Sequence, residues 1–271
     1  MRVGIIGGGT IARLLLEHVQ AGDLEAVEVV AIVGRSDASR GKALGAQFGV
    51  PFVTDVEALL AHKPEVVVEA ASHEAVHAFG PRLLGAGVAL IVLSGGALAD
   101  DVLRATLERA AAQHGALLYV PSGGIGGLDA LKAACIAGVD EVTIAVTKPA
   151  AAWKGIAYVE RLGIDLDRLR EPVTLYDGPA RVGVLHFPAN VNIAAVLSLA
   201  GIGLDRTRLK AVADPALRHN THFIEIRGKT GSISIKMENV PSADNPKTAM
   251  LACYSALAAL NTIQATTRYG T

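Results

Sequence analysis

In the first half of the chain, short apolar runs alternate with amphipathic stretches. Val3–Ile6 reads as a buried strand, and Thr10–Ala21 as a helix with apolar positions three and four apart. The β-branched run Val27–Val33 predicts a second strand, and Ser39–Gly49 a helix stopped by glycine. Asp55–His62 (helix), Val66–Glu69 (strand), His73–Gly85 (helix), Ala89–Leu93 (strand), Asp100–His114 (helix) and Leu117–Val120 (strand) continue the alternation. Strands and helices that alternate with short connections imply a parallel sheet with helices on both faces.

Beyond Pro121 the rhythm changes. Gly126–Gly138 and Asn192–Ala200 read as helices. Glu141–Lys148, Pro172–Leu175, Leu209–Ala213, Thr221–Arg227 and Ser232–Met237 read as strands. Strands gathered with occasional helices predict an α+β unit with an antiparallel or mixed sheet. Asn245-Pro246 supplies an N-cap and a first-turn proline for a last apolar helix running to about Ala265. The expected architecture is α/β: a Rossmann-type doubly wound parallel sheet with a second α+β domain. The dinucleotide-binding domain is expected over 1–121, completed by the C-terminal helix 245–271. Residues 122–244 are expected to form the catalytic, substrate and dimerisation domain.

Composition narrows the function. Apolar residues make up 51% of the chain and aromatic ones 4%, so the core is built mainly from Ala, Val, Leu and Ile. A formal net charge of −1 offers no basic excess for a nucleic-acid backbone or an anionic membrane. The mean hydropathy of +0.39 is high, yet the longest apolar stretch, Ala86–Ala99, is too short to cross a bilayer and is broken by glycines. The N-terminal apolar run, broken by Gly7-Gly8-Gly9, does not read as a signal peptide. A cytoplasmic protein is expected. Cys135 and Cys253 sit in Ala-rich surroundings as small hydrophobes, and no metal-ligand spacing is visible.

The chemistry starts at Gly7-Gly8-Gly9-Thr10-Ile11-Ala12, a G-x-G-x-x-A turn between a strand and a helix. Gly7 permits the turn, Gly9 lets backbone approach a pyrophosphate, and Thr10 and Ile11 open the helix whose N–H groups face the anion. The second strand ends in Gly34-Arg35-Ser36, without the acid that would bond a ribose 2′-hydroxyl; Arg35 and Ser36 suit a 2′-phosphate. The expected cofactor is therefore NADP or NAD, with NADP accepted at least as well. Three further strand ends carry small or polar residues: Ala70-Ala71-Ser72-His73, Ser94-Gly95-Gly96 and Pro121-Ser122-Gly123-Gly124-Ile125-Gly126-Gly127. His73 and Ser94 are thus candidate contacts to cofactor or substrate.

Of eight histidines, His18, His62 and His114 fall on predicted helix surfaces, and His77 and His186 read as structural. Alternation puts His222 and Ile224 on one face of a strand and Thr221 and Phe223 on the other. His222 is then either an acid–base residue or a half-exposed strand histidine.

These motifs in order resemble the L-aspartate dehydrogenase family of the NAD biosynthesis type, essentially end to end. The resemblance rests on the glycine turn, on Pro121–Ala130, on Lys148-Pro149 with Ala152-Trp153, and on Phe187-Pro188-Ala189-Asn190-Val191-Asn192. It continues through Leu197–Gly201, Ala213-Asp214-Pro215, Asn220-Thr221-His222 and Asn245-Pro246-Lys247-Thr248. It implies oxidative deamination of L-aspartate through iminoaspartate to oxaloacetate and ammonia, or supply of iminoaspartate for NAD biosynthesis, in a homodimer. It implies that His222 is the active-site histidine and that Asn190 and Gly124 contact the cofactor near the nicotinamide. The family usually has Ala where Gly124 stands. Two substrate carboxylates need partners: Lys247, in the first turn of the last helix, and neighbouring Thr248 are candidates, with Lys148 a second choice. A kcat profile with a group titrating near neutrality is expected for a histidine base. A dihydrodipicolinate-reductase-like or homoserine-dehydrogenase-like enzyme would share the plan, and a non-catalytic NADP(H) sensor would share the first domain.

Overall fold

The structure is a computed structural model and describes residues 1–24, 26–188, 190–242 and 249–270. The chain divides into two compact units, one of Met1–Pro121 with Cys253–Tyr269, the other built on Ser122–Ala252.

The first unit holds strands β1 (Arg2–Ile6), β2 (Glu28–Val33), β3 (Phe52–Val53), β4 (Val66–Glu69), β5 (Ala89–Val92) and β6 (Leu118–Tyr119). They form one six-stranded sheet in the order β3-β2-β1-β4-β5-β6, parallel throughout. Order reverses beside β1, which makes its carboxyl end the switch point where ligands of such sheets bind. Helices α1 (Thr10–Ala21), α2 (Arg40–Phe48), α3 (Val56–Ala61), α4 (His73–Gly85) and α5 (Asp101–His114) connect the strands. Their ends follow the chemistry of their sequence. Asp55, Ser72 and Asp100 cap α3, α4 and α5 with side-chain hydrogen bonds, and Gly22, Gly49 and Gly115 end α1, α2 and α5 in left-handed conformation. Val3, Ile5, Leu15, Ile32, Val68 and Ile91 form the core, joined by Ala256, Leu257 and Leu260 from the last helix. The two-residue β3 carries too few residues for a periodic pattern, and the sequence did not predict it.

The second unit contains α6 (Leu128–Ala137), β7 (Val139–Pro149), α7 (Ala157–Arg161), β8 (Val173–Pro179), α8 (Ala180–His186), α9 (Asn192–Ala200), β9 (Arg208–Asp214), β10 (Asn220–Gly228) and β11 (Gly231–Asn239). Its five strands run in the order β11-β10-β7-β9-β8, with β7 and β9 parallel and the other neighbours antiparallel. The mixed sheet is the expected α+β form. Helix α6 starts at Leu128 rather than Gly126, because Gly127 sits at φ +78°. Strand β8 outruns the expected Pro172–Leu175 by four residues (Val173–Pro179) and passes at once into α8, which had not been expected. α6 and α8 pack on the sheet, and α9 packs against both helices. The strand residues that alternate into this covered face are Val142, Ile144 and Val146 on β7, Leu209, Ala211 and Ala213 on β9, and Ile224 and Ile226 on β10. The last helix, α10, is described over Met250–Gln264; the expected cap at Asn245-Pro246 lies outside the described residues. Among the described residues no helix is long and apolar enough to cross a membrane.

Candidate functional site

In the first unit the glycine turn links β1 to α1. Gly7 has φ +113°, and a Cβ there would meet the Ala70 carbonyl oxygen at 2.5 Å. A Cβ on Gly8 would run into the backbone nitrogen of Gly41 at the start of α2. Gly9 differs: no atom lies within 4 Å of its Cβ position. Gly9 caps α1 without a side-chain hydrogen bond, and the first turn, with Thr10 and Ile11, contains no acid. The first N–H groups of a helix have no intrahelical acceptor, so open space at this positive end fits a phosphate group.

The end of β2 carries Arg35 and Ser36, both exposed. Asp37, the nearest following acid, is tied to Lys42 at 2.7 Å. Arg35 and His73 both contribute to holding the Glu74 carboxyl below its ordinary value, after the larger effect of a hydrogen bond with Ser72. His73 is thereby placed in the first turn of α4, on the side of Arg35 and Glu74.

Ser94, after β5, is buried, and both its N–H and its hydroxyl donate to Glu69, at 3.0 and 2.9 Å. Glu69 is fully buried at the end of β4. Burial pushes its carboxyl up, opposed by the donors that surround it. Sequence reasoning passed over Glu69, although a charged residue closing Val66-Val67-Val68 was a visible signal.

In the second unit the covered face of the sheet turns polar at one end. His222 is buried on β10, opposite Val146 of β7 and Met237 of β11. Asn220, Asn239 and Lys148 are buried on the same face. The His222 Nδ1 lies 3.2 Å from the carbonyl oxygen of Gly124, and Asn239 Nδ2 donates to that oxygen at 2.8 Å. Asn239 Nδ2 also approaches His222 Nδ1 to 3.0 Å. Lys148 Nζ donates to the Asn190 carbonyl at 2.9 Å and stands 5.5 Å over the Trp153 ring. His222 is therefore not a half-exposed strand residue. Its pKa is lowered from 6.5 to about 4, first by burial, then by the charge of Lys148, against a raising hydrogen bond with Gly124. The neutral imidazole is the resting form, and titration falls below the near-neutral range expected from the sequence. His186, in contrast, stacks on Tyr158 with ring centroids 3.9 Å apart, as a structural side chain does.

Of the sequence-selected residues, Gly7, Gly9, Thr10, Ile11, Arg35, Ser36, His73 and Ser94 belong to the first unit. The second unit brings together His222 and Gly124 and, through Lys148, Asn190. A Cβ on Gly124 would meet Ala249, His222 and Asn239 only at 3.6–3.7 Å, so the alanine usual in the family would fit. Lys247 and Thr248 lie outside the described residues. Asn239 was missed because its partnership with Gly124 spans 115 residues of sequence.

The doubly wound parallel sheet, its glycine turn and a mixed-sheet unit with a buried neutral histidine define a Rossmann-type oxidoreductase. Residues 7–121 match the homoserine dehydrogenase NAD binding domain, and residues 129–263 match the C-terminal domain of aspartate dehydrogenase. The chain is 40% identical over 275 residues to L-aspartate dehydrogenase of Methanosarcina acetivorans, with all of both chains covered. It is 42% identical to L-aspartate dehydrogenase 2 of Bordetella pertussis, covering 96% of this chain and 95% of that one. The crystal structure of aspartate dehydrogenase from Thermotoga maritima superposes with a TM-score of 0.77 at 29% identity, covering 100% of this chain and 99% of that one. The chain belongs to the L-aspartate dehydrogenase family.

Proposed function

We infer that the protein oxidises L-aspartate to iminoaspartate with NAD or NADP, and that iminoaspartate is either released or hydrolysed to oxaloacetate and ammonia. The observation that carries this reading is a neutral, buried His222 within a chain that is 40% identical over its whole length to an L-aspartate dehydrogenase. The dinucleotide, when bound, accepts the hydride from Cα. The residues that would hold it are the Gly7–Ile11 turn at the pyrophosphate, Arg35 and Ser36 at the adenine ribose, and Ser94, Gly124 and Asn190 towards the nicotinamide.

His222 handles protons. One ring nitrogen cannot both donate to Gly124 and accept from Asn239, so the two contacts belong to different tautomers. The tautomer with Nδ1–H on the Gly124 carbonyl leaves the lone pair on Nε2, and Asn239 anchors that same carbonyl. Nε2 is then the base that takes a proton from the substrate ammonium, or from water adding to the imine, and returns one to departing ammonia. Lys148, which disfavours the imidazolium, keeps the base in its active form. Lys247, Thr248 and His73 remain our candidates for the substrate carboxylates.

The same reading makes the protein a cytoplasmic homodimer. The sheet face opposite the helices carries exposed Phe223 beside Ala145, a surface for self-pairing that sedimentation would test.

The decisive assay follows reduced-nicotinamide absorbance while amino acids are offered with NAD and with NADP. A response to L-aspartate alone is expected, and Arg35→Ala should raise KM for NADP more than for NAD. His222→Ala should lose turnover by orders of magnitude yet still bind NADPH. Near wild-type kcat in that variant would overturn the assignment, and NADPH binding with no aspartate-dependent reduction in the wild type would favour a sensor.

A further inference from the structure

Glu69 is a fully buried carboxylate for which the proposed chemistry has no use. Its Oε1 accepts from the Ala71 N–H at 2.8 Å, the Ser72 N–H at 3.0 Å and the Ser94 hydroxyl at 2.9 Å, and its Oε2 accepts from the Ser94 N–H at 3.0 Å. Three of these donors are backbone amides, which cannot reverse. Oε1 thus receives three hydrogens and Oε2 one, and every contact the carboxyl makes is with a donor. The surroundings are matched to the ionised form, and such charge-assisted bonds are the stronger kind.

We propose that Glu69 is a positioning residue of the dinucleotide site, which fixes Ser94 as a hydrogen-bond acceptor and so matches it to the nicotinamide end of the cofactor. This rests on the dinucleotide reading of the first unit. With its N–H and O–H both committed to Glu69, Ser94 has only the lone pairs of Oγ left to offer. The phosphates of a dinucleotide have no hydrogen to give them. Two groups of its nicotinamide half do, the ribose hydroxyls and the carboxamide NH2, and it is the carboxamide that Ser94 takes. Position agrees with polarity. β4 and β5 lie on one side of β1, while β2, with Arg35 at its end, lies on the other. Donors at the N-terminus of α1 serve the pyrophosphate at the switch point, and the acceptor at Ser94 serves the ring beyond it. Glu69 also holds the loop Ala70–Ser72, whose Ala70 carbonyl stands against Gly7. One carboxylate thus ties the loops after β4 and β5 to each other.

The test compares equilibrium binding, by calorimetry, of NAD(P), its 3-acetylpyridine analogue and adenosine diphosphate ribose. The acetyl analogue replaces the carboxamide NH2 by a methyl group. Wild-type protein should bind the carboxamide form roughly fivefold to tenfold more tightly than the analogue, the size of one neutral hydrogen bond. In Ser94→Ala and Glu69→Gln that discrimination should vanish, while adenosine diphosphate ribose binds as in the wild type. Discrimination that survives in Ser94→Ala overturns the proposal, and Ser94→Ala alone decides if Glu69→Gln does not fold. Failure of adenosine diphosphate ribose to bind the wild type would instead refute the dinucleotide reading itself.

Discussion

A histidine held neutral by burial makes the fold sensitive to acid, and the size of that sensitivity follows from the site. The pKa of His222 is about 4 in the folded protein against 6.5 when unperturbed. As pH falls below 6.5 the unfolded chain takes up the proton first, so the unfolded state gains free energy that the folded state does not. The stability His222 contributes is complete above pH 6.5 and is lost as pH falls towards about 4. Between pH 7 and pH 5 the loss is about 2 kcal/mol, approaching about 3 kcal/mol at lower pH. His222→Asn keeps an amide where Nδ1 stands and does not titrate. Trp153, the single tryptophan in the sequence, is buried in the same unit, so its fluorescence reports unfolding of that unit. Urea midpoints should fall between pH 7 and pH 5 by roughly 1 M more in wild type than in His222→Asn, for a slope of about 2 kcal/mol per molar. Other titrating groups are common to both proteins and cancel. Equal pH dependence in the two would refute the assignment of a buried, proton-resisting imidazole.

The glycine turn gives a second contrast: Gly8→Ala, whose methyl would strike the backbone of Gly41, should lower the melting temperature. Gly9→Ala, with open space at that position, should melt as the wild type does but bind the dinucleotide more weakly, as calorimetry would read. Lys148→Met removes a charge that disfavours the imidazolium, so the acid limb of the kcat profile should move to higher pH; an unmoved limb would remove Lys148 from the electrostatics of His222.

What the sequence made legible was local. The turn Gly7–Ala12, the strand before it and the helix after it all lie within reach of one another along the chain, and periodicity with glycine chemistry suffices to read them. The face on which His222 lies followed from alternation, since neighbouring Thr221 and Phe223 are more exposed. Its burial and depressed pKa did not follow, because both depend on β7 and β11, far away in sequence. Helix α8 was missed for a different reason. Val182 and Leu185 are exposed on it while Ala180, Gly183 and Val184 are buried, so its apolar residues mark no single face.

The two buried charges illustrate a shared physical solution. A charge removed from water is costly unless the protein supplies partners for it. Glu69 draws its partners from backbone amides and a hydroxyl, and Lys148 uses a backbone carbonyl and lies over an aromatic ring. Backbone partners stay in place when a ligand arrives, so each charge can act on a neighbour without being consumed by it. Glu69 sets which way Ser94 bonds, and Lys148 adds to burial in keeping His222 neutral. Such partners cannot be read from residue identity, since every residue type but proline offers the same N–H and every residue the same carbonyl. Asp37, conspicuous in the sequence beside Arg35, is occupied with exposed Lys42, whereas Glu69 at the end of a plain apolar strand holds the loops after β4 and β5.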